Sequence, residues 1–146
     1  MTDRTAEPSP DDAFGVEPIG VVRSSLAALD DAPRQGDEGA PDVVLDLRSE
    51  LVAALDGVAV GDELLVLTWL HRADRSVLTT HPRNDPSRGV LGVFATRSPD
   101  RPNPVGLHRV TVRSIDGATL VVGPCEAVDG TPVVDLKPVL GAAGER

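Results

Sequence analysis

The chain has 146 residues, a single cysteine and a formal net charge of −9. This length fits one ordinary domain, and Cys125 alone can form neither an intrachain disulfide nor a cysteine-based zinc cage. The N-terminus lacks the apolar core of a signal peptide, and no stretch approaches the ~20 apolar residues that span a bilayer. We therefore predict a cytoplasmic protein without a membrane segment.

The negative charge is unevenly distributed along the chain. Residues 1–70 carry four basic and fifteen acidic side chains, whereas residues 71–113 carry eight arginines and three acidic side chains. An acidic chain of this kind can still present a basic face to an anionic partner. The chain has only two phenylalanines, one tryptophan and no tyrosine, which excludes RNA recognition by a platform of stacked aromatic rings. Any RNA contact would rest on arginine, backbone and shape.

Short valine-rich runs, separated by Gly, Pro and Asp, predict an all-β barrel or sandwich with a few short helices. We expect one domain over residues 15–140, between disordered ends at 1–14 and 141–146. The predicted strands are, in chain order, 18–23, 42–46, 63–71, 91–96, 106–115, 119–123 and 133–137.

One helix is predicted, over Ser49–Leu55. Ser49 is expected to cap it, and Leu51, Val52 and Leu55 to share its apolar face.

The predicted strand 106–115 alternates apolar and polar residues, which indicates one core face and one solvated face. The dipeptide Asp116-Gly117 after it predicts a tight hairpin turn. The strand is expected to have a register break near His108. The side chains expected to point inward are Leu107, Val110, Val112 and Ile115.

Several common catalytic motifs are absent from the sequence. There is no G-x-G-x-x-G, no P-loop and no G-x-S-x-G, which disfavours dinucleotide-binding, P-loop and nucleophilic hydrolase functions. The three histidines, His71, His81 and His108, are scattered along the chain. Because isolated histidines are more often structural than ligating, we predict no metal site.

The densest feature is the segment 92–107, with the sequence GVFATRSPDRPNPVGL. Its three prolines fix three φ angles within six residues, which predicts a stiff, non-helical loop. Such a loop carries Arg97, Arg101 and Asn103 at low ordering cost, and arginine suits a carboxylate or phosphate. The alternative is that the loop merely connects strands and that its arginines are solvated or paired with aspartates.

This segment resembles the signature of the TsaA-like, or TrmO, family. Further blocks of the family occur in the same order, and the resemblance covers about residues 17–140. It implies a β-barrel methyltransferase that works as a homodimer and uses S-adenosylmethionine. The acceptor that it implies is the exocyclic N6 of threonylcarbamoyladenosine beside the anticodon of tRNA. The further blocks are IGVVRS at 19–24, PRQ at 33–35, WLH at 69–71 and DGTPVVDLKP at 129–138.

The resemblance also implies which residues contact the cofactor. In chemical terms, Arg97 or Arg34 suits the methionyl carboxylate, and Leu107 with Val128 suits a partly apolar slot for adenine. Asp129 suits a ribose or the cationic amine, although Asp129-Gly130 is also typical of an ordinary turn. The cofactor contacts carried over from the family are Pro33, Arg34, Gln35, His71, Arg72, Arg97, Leu107, Glu126, Ala127, Val128 and Asp129.

Methyl transfer is an in-line displacement at carbon, so the main task of the enzyme is to hold donor and acceptor close together. No covalent nucleophile is needed. If a base removes the proton from the acceptor nitrogen, His71 and Asp129 are candidates by residue type. The residues that we predict to contact tRNA are Arg75, Arg83, Arg88, Arg101 and Asn103.

Two departures from the family pattern keep other functions open. Arg72 stands where better-known bacterial members often carry Gln or Glu, and the chain stops soon after Pro138, where longer members continue into a small C-terminal domain. With the acidic pI of about 4.6, this leaves two alternatives, a methyltransferase of a small molecule and a non-catalytic nucleotide-binding module. A dimer that brings two arginine-rich stretches together favours tRNA.

Overall fold

Eight strands and four short 3₁₀ helices make up the part of the chain that the computed structural model describes, residues 14–27 and 39–141. Within these residues, no helix has the length and apolar character needed to cross a bilayer. The 3₁₀ helices are Ser49–Leu55, Pro82–Asn84, Pro86–Arg88 and Val93–Ala95. The strands are β1 (Gly20–Arg23), β2 (Val43–Leu47), β3 (Glu63–Trp69), β4 (Thr79–Thr80), β5 (Leu91–Gly92), β6 (Val105–Asp116), β7 (Thr119–Gly123) and β8 (Pro132–Pro138).

Six antiparallel strands form a closed barrel in the order β1-β2-β7-β6-β3-β8, and β8 pairs back with β1. This confirms the prediction of a single β-barrel with short peripheral helices. Alternate side chains fill its interior, as in β3, where Leu64, Val66 and Thr68 are buried. The strands β4 and β5 form a separate two-stranded sheet.

Six of the seven predicted strands match observed strands to within two residues at each end. The predicted strand 91–96 is wrong, because only Leu91–Gly92 is extended and Val93–Ala95 forms a turn of 3₁₀ helix. The Arg101 guanidinium donates hydrogen bonds to the carbonyls of Val93 and Thr96. These carbonyls therefore face an arginine instead of a neighbouring strand.

The strand β6 places two of its side chains differently from the prediction. Val110 and Val112 point inward as expected, but His108 is buried and Leu107, at 40% exposure, faces outward. The register continues through His108, and the irregularity lies instead between Val112 and Ser114. The inward Leu107 and the break near His108 were wrong, because the pattern did not show that a buried imidazole finds partners on other segments.

The helix over Ser49–Leu55 forms at its predicted bounds, but as a 3₁₀ helix. Its N-cap residue is Arg48 and no side chain caps it, so the predicted cap at Ser49 is wrong. Of the predicted apolar face, Leu55 is buried whereas Val52 is 46% exposed. A 3₁₀ helix has about 3 residues per turn, so residues four apart, such as Leu51 and Leu55, do not share a face as they do in an α-helix.

The turn between β6 and β7 is the tight hairpin that Asp116-Gly117 predicts. Asp116 pairs with Thr119, so the loop itself holds Gly117 and Ala118. Gly117 has a φ of +59°, in the left-handed region where glycine has no steric penalty.

The predicted disordered ends, 1–14 and 141–146, lie outside the described residues except for Phe14 and Gly141. This expectation, and with it the domain boundaries at 15 and 140, stays a prediction.

Candidate functional site

Several segments of the chain meet around one cavity of about 760 Å³. They are residues 70–72 after β3, the loop 95–101, residues 105–108 at the start of β6, and residues 126–128 before β8. Side chains of the 80–91 segment complete the wall. The volume is typical of a site for a small molecule.

Seven of the predicted cofactor contacts line this cavity, although they come from distant parts of the sequence. Leu107 reaches it because this side chain faces out of the barrel. The predicted RNA contacts Arg83, Arg88 and Arg101 line the same cavity. The seven cofactor contacts are His71, Arg72, Arg97, Leu107, Glu126, Ala127 and Val128.

Asp129 is not among the described residues that line the cavity. Its Oδ1 accepts a hydrogen bond from the backbone N of Ser24 at 3.0 Å, and its own backbone N donates to the carbonyl of Leu26 at 2.6 Å. Gly130 beside it has a φ of +84°, as a turn requires. The structure therefore places Asp129 in a turn against residues 24–26.

The predicted contacts Pro33, Arg34 and Gln35 lie in the segment 28–38, outside the described residues. The described chain stops before this segment at Ala27, whose carbonyl accepts a hydrogen bond from Nη1 of Arg72 at 2.9 Å. This hydrogen bond joins Arg72, which lines the cavity, to the last described residue before the segment 28–38.

Arg97 is an exposed cation at the cavity, and no hydrogen bond or ion pair joins it to another described residue. Other arginines are paired. Arg88 lies 3.6 Å from the carboxylate of Asp85. Arg109 lies 2.7 Å from that of Glu63, and this pairing lowers the pKa of Glu63. Arg97 is thus available to an anionic group of a ligand.

Arg101 holds the loop that carries Arg97. It donates from Nη2 to the carbonyl of Val93 and to that of Thr96, the latter at 2.6 Å. The side chain is partly buried, and its Nε has no hydrogen-bond partner among the described residues. The guanidinium is therefore engaged in the fold of the loop, and a contact with RNA stays a prediction for this residue.

Arg75 is hydrogen-bonded to residues 102 and 103, which directly follow the loop 95–101. It donates from Nε to the carbonyl of Pro102 at 2.7 Å and from Nη2 to Oδ1 of Asn103 at 2.9 Å. Its guanidinium carbon also lies 5.1 Å from the centroid of the Trp69 ring, within cation–π distance. Arg75 and Asn103, both predicted to contact RNA, contact each other here, and their contact with RNA is likewise still a prediction.

One of the residues that line the cavity is a buried histidine, His108, which the sequence pattern did not assign to the site. His108 is 4% exposed, and its Nδ1 lies 2.6 Å from Oε1 of Glu126. Its Nε2 lies 2.7 Å from Oγ1 of Thr68. Counting alternate residues inward from Val110 would have placed His108 on the buried face, but no spacing in the sequence connects it with Glu126.

The thiol of Cys125 belongs to the same cluster, since single donor atoms of His108, Cys125 and Glu126 all lie within 4.8 Å of one another. These donor types suit zinc, yet both ring nitrogens of His108 already take part in hydrogen bonds. Burial raises the pKa of the Cys125 thiol from its usual 9.0 to about 12, so the thiol stays protonated at neutral pH. The prediction of no metal site remains untested.

Cys125 is expected to be unreactive in the folded protein. Its raised pKa and full burial leave little thiolate at pH 8. The thiol should react with Ellman's reagent at the rate of global unfolding, and at once in denaturant. Rapid labelling at pH 8 without denaturant would contradict this expectation.

The same thiol should make the free energy of unfolding fall as pH rises from 9 towards 12. The reason is that the thiol ionises at a lower pH in the unfolded state than in the folded state.

Comparison with known proteins gives a family match over most of the chain. Residues 21–143 match the family model described as the tRNA-methyltransferase O N-terminal domain. A probable S-adenosyl-L-methionine-binding protein of Methanothermobacter thermautotrophicus is 42% identical over 123 residues, which are 84% of this chain and 88% of that protein.

Two longer proteins match as well. The tRNA (adenine(37)-N6)-methyltransferase of Escherichia coli is 34% identical over 142 residues, covering 88% of this chain and 58% of that protein. The crystal structure of TrmO from Pseudomonas aeruginosa superimposes with a TM-score of 0.70 at 31% identity, covering 92% of this chain and 61% of that one. The chain thus spans about three fifths of these two proteins.

Proposed function

Because the chain belongs to the family of the tRNA-methyltransferase O N-terminal domain, we propose that it binds S-adenosylmethionine in the cavity and methylates tRNA. The observation that carries the proposal is that three kinds of group meet around one cavity: Arg97, which has no partner among the described residues, the Glu126 carboxylate, which is hydrogen-bonded to His108, and apolar side chains. The acceptor that we propose is the N6 of threonylcarbamoyladenosine beside the anticodon, and the location is the cytoplasm. The name of the E. coli relative, which specifies an adenine N6, supports this acceptor.

The residues around the cavity fit the groups that S-adenosylmethionine carries. Arg97 suits the methionyl carboxylate, since its fork donates two parallel hydrogen bonds. Glu126 suits a cationic group, either the ammonium or the sulfonium. Leu107 and Val128 offer apolar surface for adenine on two sides of the same cavity.

The chemistry supplied by bound S-adenosylmethionine is a methyl group on a positively charged sulfur. The task of the chain is to orient the acceptor nitrogen in line with that methyl group and to accept the proton that the nitrogen loses. Of the two candidate bases, His71 lines the cavity, whereas the Asp129 carboxylate accepts from Ser24. We therefore propose His71 as the proton acceptor. Full turnover by His71→Ala would remove this role.

The direct test is methylation of tRNA that carries threonylcarbamoyladenosine without the N6 methyl group. After incubation with protein and S-adenosylmethionine, nuclease digestion and mass spectrometry should reveal a nucleoside heavier by one methylene. Methylation of a small molecule in a metabolite extract, with none of tRNA, would favour the small-molecule alternative. Failure to bind S-adenosylmethionine at all would favour the non-catalytic module.

Arg83 and Arg88 provide a test of the RNA contact, since both are exposed and line the rim of the cavity. The affinity for tRNA should fall steeply as salt rises. A plot of the logarithm of the tRNA association constant against the logarithm of the salt concentration has a negative slope. If each arginine neutralises one phosphate, this slope should become shallower by roughly 1.5 to 2 in the double variant Arg83→Ala/Arg88→Ala. Fluorescence anisotropy between low and physiological salt measures this slope, with Lys137→Ala as the control. An unchanged slope in the double variant would exclude these arginines from the interface.

We also propose that the chain works as a homodimer. The β4–β5 hairpin and the turn after it expose a group of large apolar side chains, with Phe94 at 84% exposure. Such a group on a small hairpin is typical of a protein interface. The other members of the group are Leu78, Val90 and Leu91.

Light scattering after size exclusion should give the mass of two chains for the native protein. The double variant Leu91→Ser/Phe94→Ser removes two of the exposed apolar side chains and should give one chain. The double variant Val52→Ser/Val60→Ser, at exposed positions outside this group, is the control. A monomeric native protein would contradict the proposal.

A further inference from the structure

A row of three polar groups runs from the barrel interior to the cavity. Thr68 Oγ1, at 0% residue exposure, lies 2.7 Å from Nε2 of His108, and Nδ1 of His108 lies 2.6 Å from Oε1 of Glu126. The Glu126 side chain is 15% exposed and lines the cavity. Burial of polar groups is costly unless they are paired, and here both ring nitrogens of His108 have a partner.

The absence of a side chain at Gly106 leaves space in the barrel for this row. Gly106 lies two residues before His108 on the same face of β6 and is paired across the sheet with Thr68. A Cβ at Gly106 would lie 2.3 Å from Thr68 Oγ1 and 2.8 Å from Nε2 of His108. Only glycine therefore leaves room at this position for the Thr68–His108 hydrogen bond.

The row ends on a carboxylate in a cavity whose other charged groups are mostly arginines. Two carboxylates are among the described lining residues, Asp100 and Glu126. Asp100 accepts a hydrogen bond from the backbone N of Asp74 at 2.8 Å, whereas Glu126 is held by His108. The hydrogen bonds are satisfied when Nδ1 carries the imidazole proton and Nε2 accepts from the Thr68 hydroxyl. In this arrangement Nδ1 of His108 donates to Oε1 of Glu126 and fixes the direction of the carboxylate.

We propose that His108 is a positioning residue, which holds the Glu126 carboxylate in the cavity as the contact for a cationic group of the ligand. The inference rests on the proposed function, because S-adenosylmethionine is the ligand that brings such a group. His108 itself does not touch the ligand in this account. Its effect passes through Nδ1 and Glu126.

Two substitutions at His108 distinguish the role of Nδ1 from that of Nε2. The amide nitrogen of His108→Asn lies where Nδ1 does and can still donate to Glu126, whereas that of His108→Gln lies nearer to Nε2 and loses this bond. By calorimetry, we expect His108→Asn to bind S-adenosylmethionine within about threefold of the native protein. His108→Gln and Glu126→Gln should each bind it about tenfold or more weakly, the loss typical of a hydrogen bond to a charged group.

The control ligand is 5′-methylthioadenosine, which has the adenosine and a neutral sulfur but neither cationic group. All three variants should bind it as the native protein does. Equal weakening of both ligands, or equal effects of His108→Asn and His108→Gln, would show that His108 is merely structural and would overturn the inference alone. A native protein that binds no S-adenosylmethionine would overturn the proposed function and the inference with it.

A second measurement needs no variant and stays decisive if His108→Gln does not fold. In a ¹⁵N–¹H spectrum of the histidine rings, the native His108 should show a proton on Nδ1 and an unprotonated, accepting Nε2. The Nδ1–H signal should shift when S-adenosylmethionine is added and stay in place with 5′-methylthioadenosine. A ring protonated on Nε2 alone would overturn the inference.

Discussion

Replacement of Arg97 by glutamate is expected to abolish the binding of S-adenosylmethionine. Arg97 is exposed at the cavity and unpaired among the described residues, so its fork is available for the methionyl carboxylate. The substitution removes a charge-assisted pair and places a second negative charge against that carboxylate. We expect a loss of affinity of about 100-fold or more, measured by calorimetry.

The matched control is Lys137→Glu, which makes the same change of charge on the exposed part of β8, opposite Leu65 and distant from the cavity-lining end of β3. This variant should bind S-adenosylmethionine as the native protein does. Unchanged affinity in Arg97→Glu would show that Arg97 lies outside the site. The methionyl carboxylate would then be expected to bind Arg34, the second arginine that the sequence analysis proposed for it.

Substitution of Arg101 by alanine is expected to destabilise the protein and weaken cofactor binding together. The carbonyls of Val93 and Thr96 both accept from this partly buried guanidinium. Loss of these bonds should lower the free energy of unfolding by roughly 2–4 kcal/mol and the melting temperature by roughly 5–15 °C. Because Arg97 follows Thr96 directly, the loop that presents it should lose its fixed geometry.

The variant Arg101→Lys is the informative companion, since it keeps the charge but has no planar fork to bridge two carbonyls. We expect it to melt close to Arg101→Ala. If Arg101 served only to contact RNA, both variants would melt like the native protein and bind S-adenosylmethionine normally, and the alanine variant would lose tRNA affinity alone. Thermal melting and calorimetry on the same samples separate these outcomes.

The barrel was predictable because its strands are valine-rich runs with alternating burial, bounded by Gly, Pro and Asp. The prediction failed at two places where the alternating pattern does not show the contacts of a polar side chain. Residues 91–96 have the pattern of a strand, but Val93–Ala95 forms a 3₁₀ turn, and the carbonyls of Val93 and Thr96 accept hydrogen bonds from Arg101. Strict alternation from Val110 places His108 on the buried face, but the partners that satisfy its ring there, Thr68 and Glu126, lie on other segments and were not visible in the pattern.

The lining of the candidate site could be anticipated mainly through the family signature, because its residues come from segments that only the barrel brings together. Composition and spacing indicated an arginine-rich loop for an anionic group; Arg97 is exposed at the cavity, and its contact with such a group stays a prediction. The roles of Arg75 and Arg101 were not visible in the sequence. Their partners, Asn103 for Arg75 and the carbonyls of Val93 and Thr96 for Arg101, are specified by the path of the loop.

We propose that S-adenosylmethionine binds in the cavity beside the arginine-rich loop. A crystal structure of the full chain grown with S-adenosylhomocysteine, the stable product, tests it most directly. We expect ligand density in this cavity, with the carboxylate on Arg97 and the ammonium or the sulfur towards Glu126. Density for the ligand elsewhere on the barrel, with the cavity empty, would contradict it.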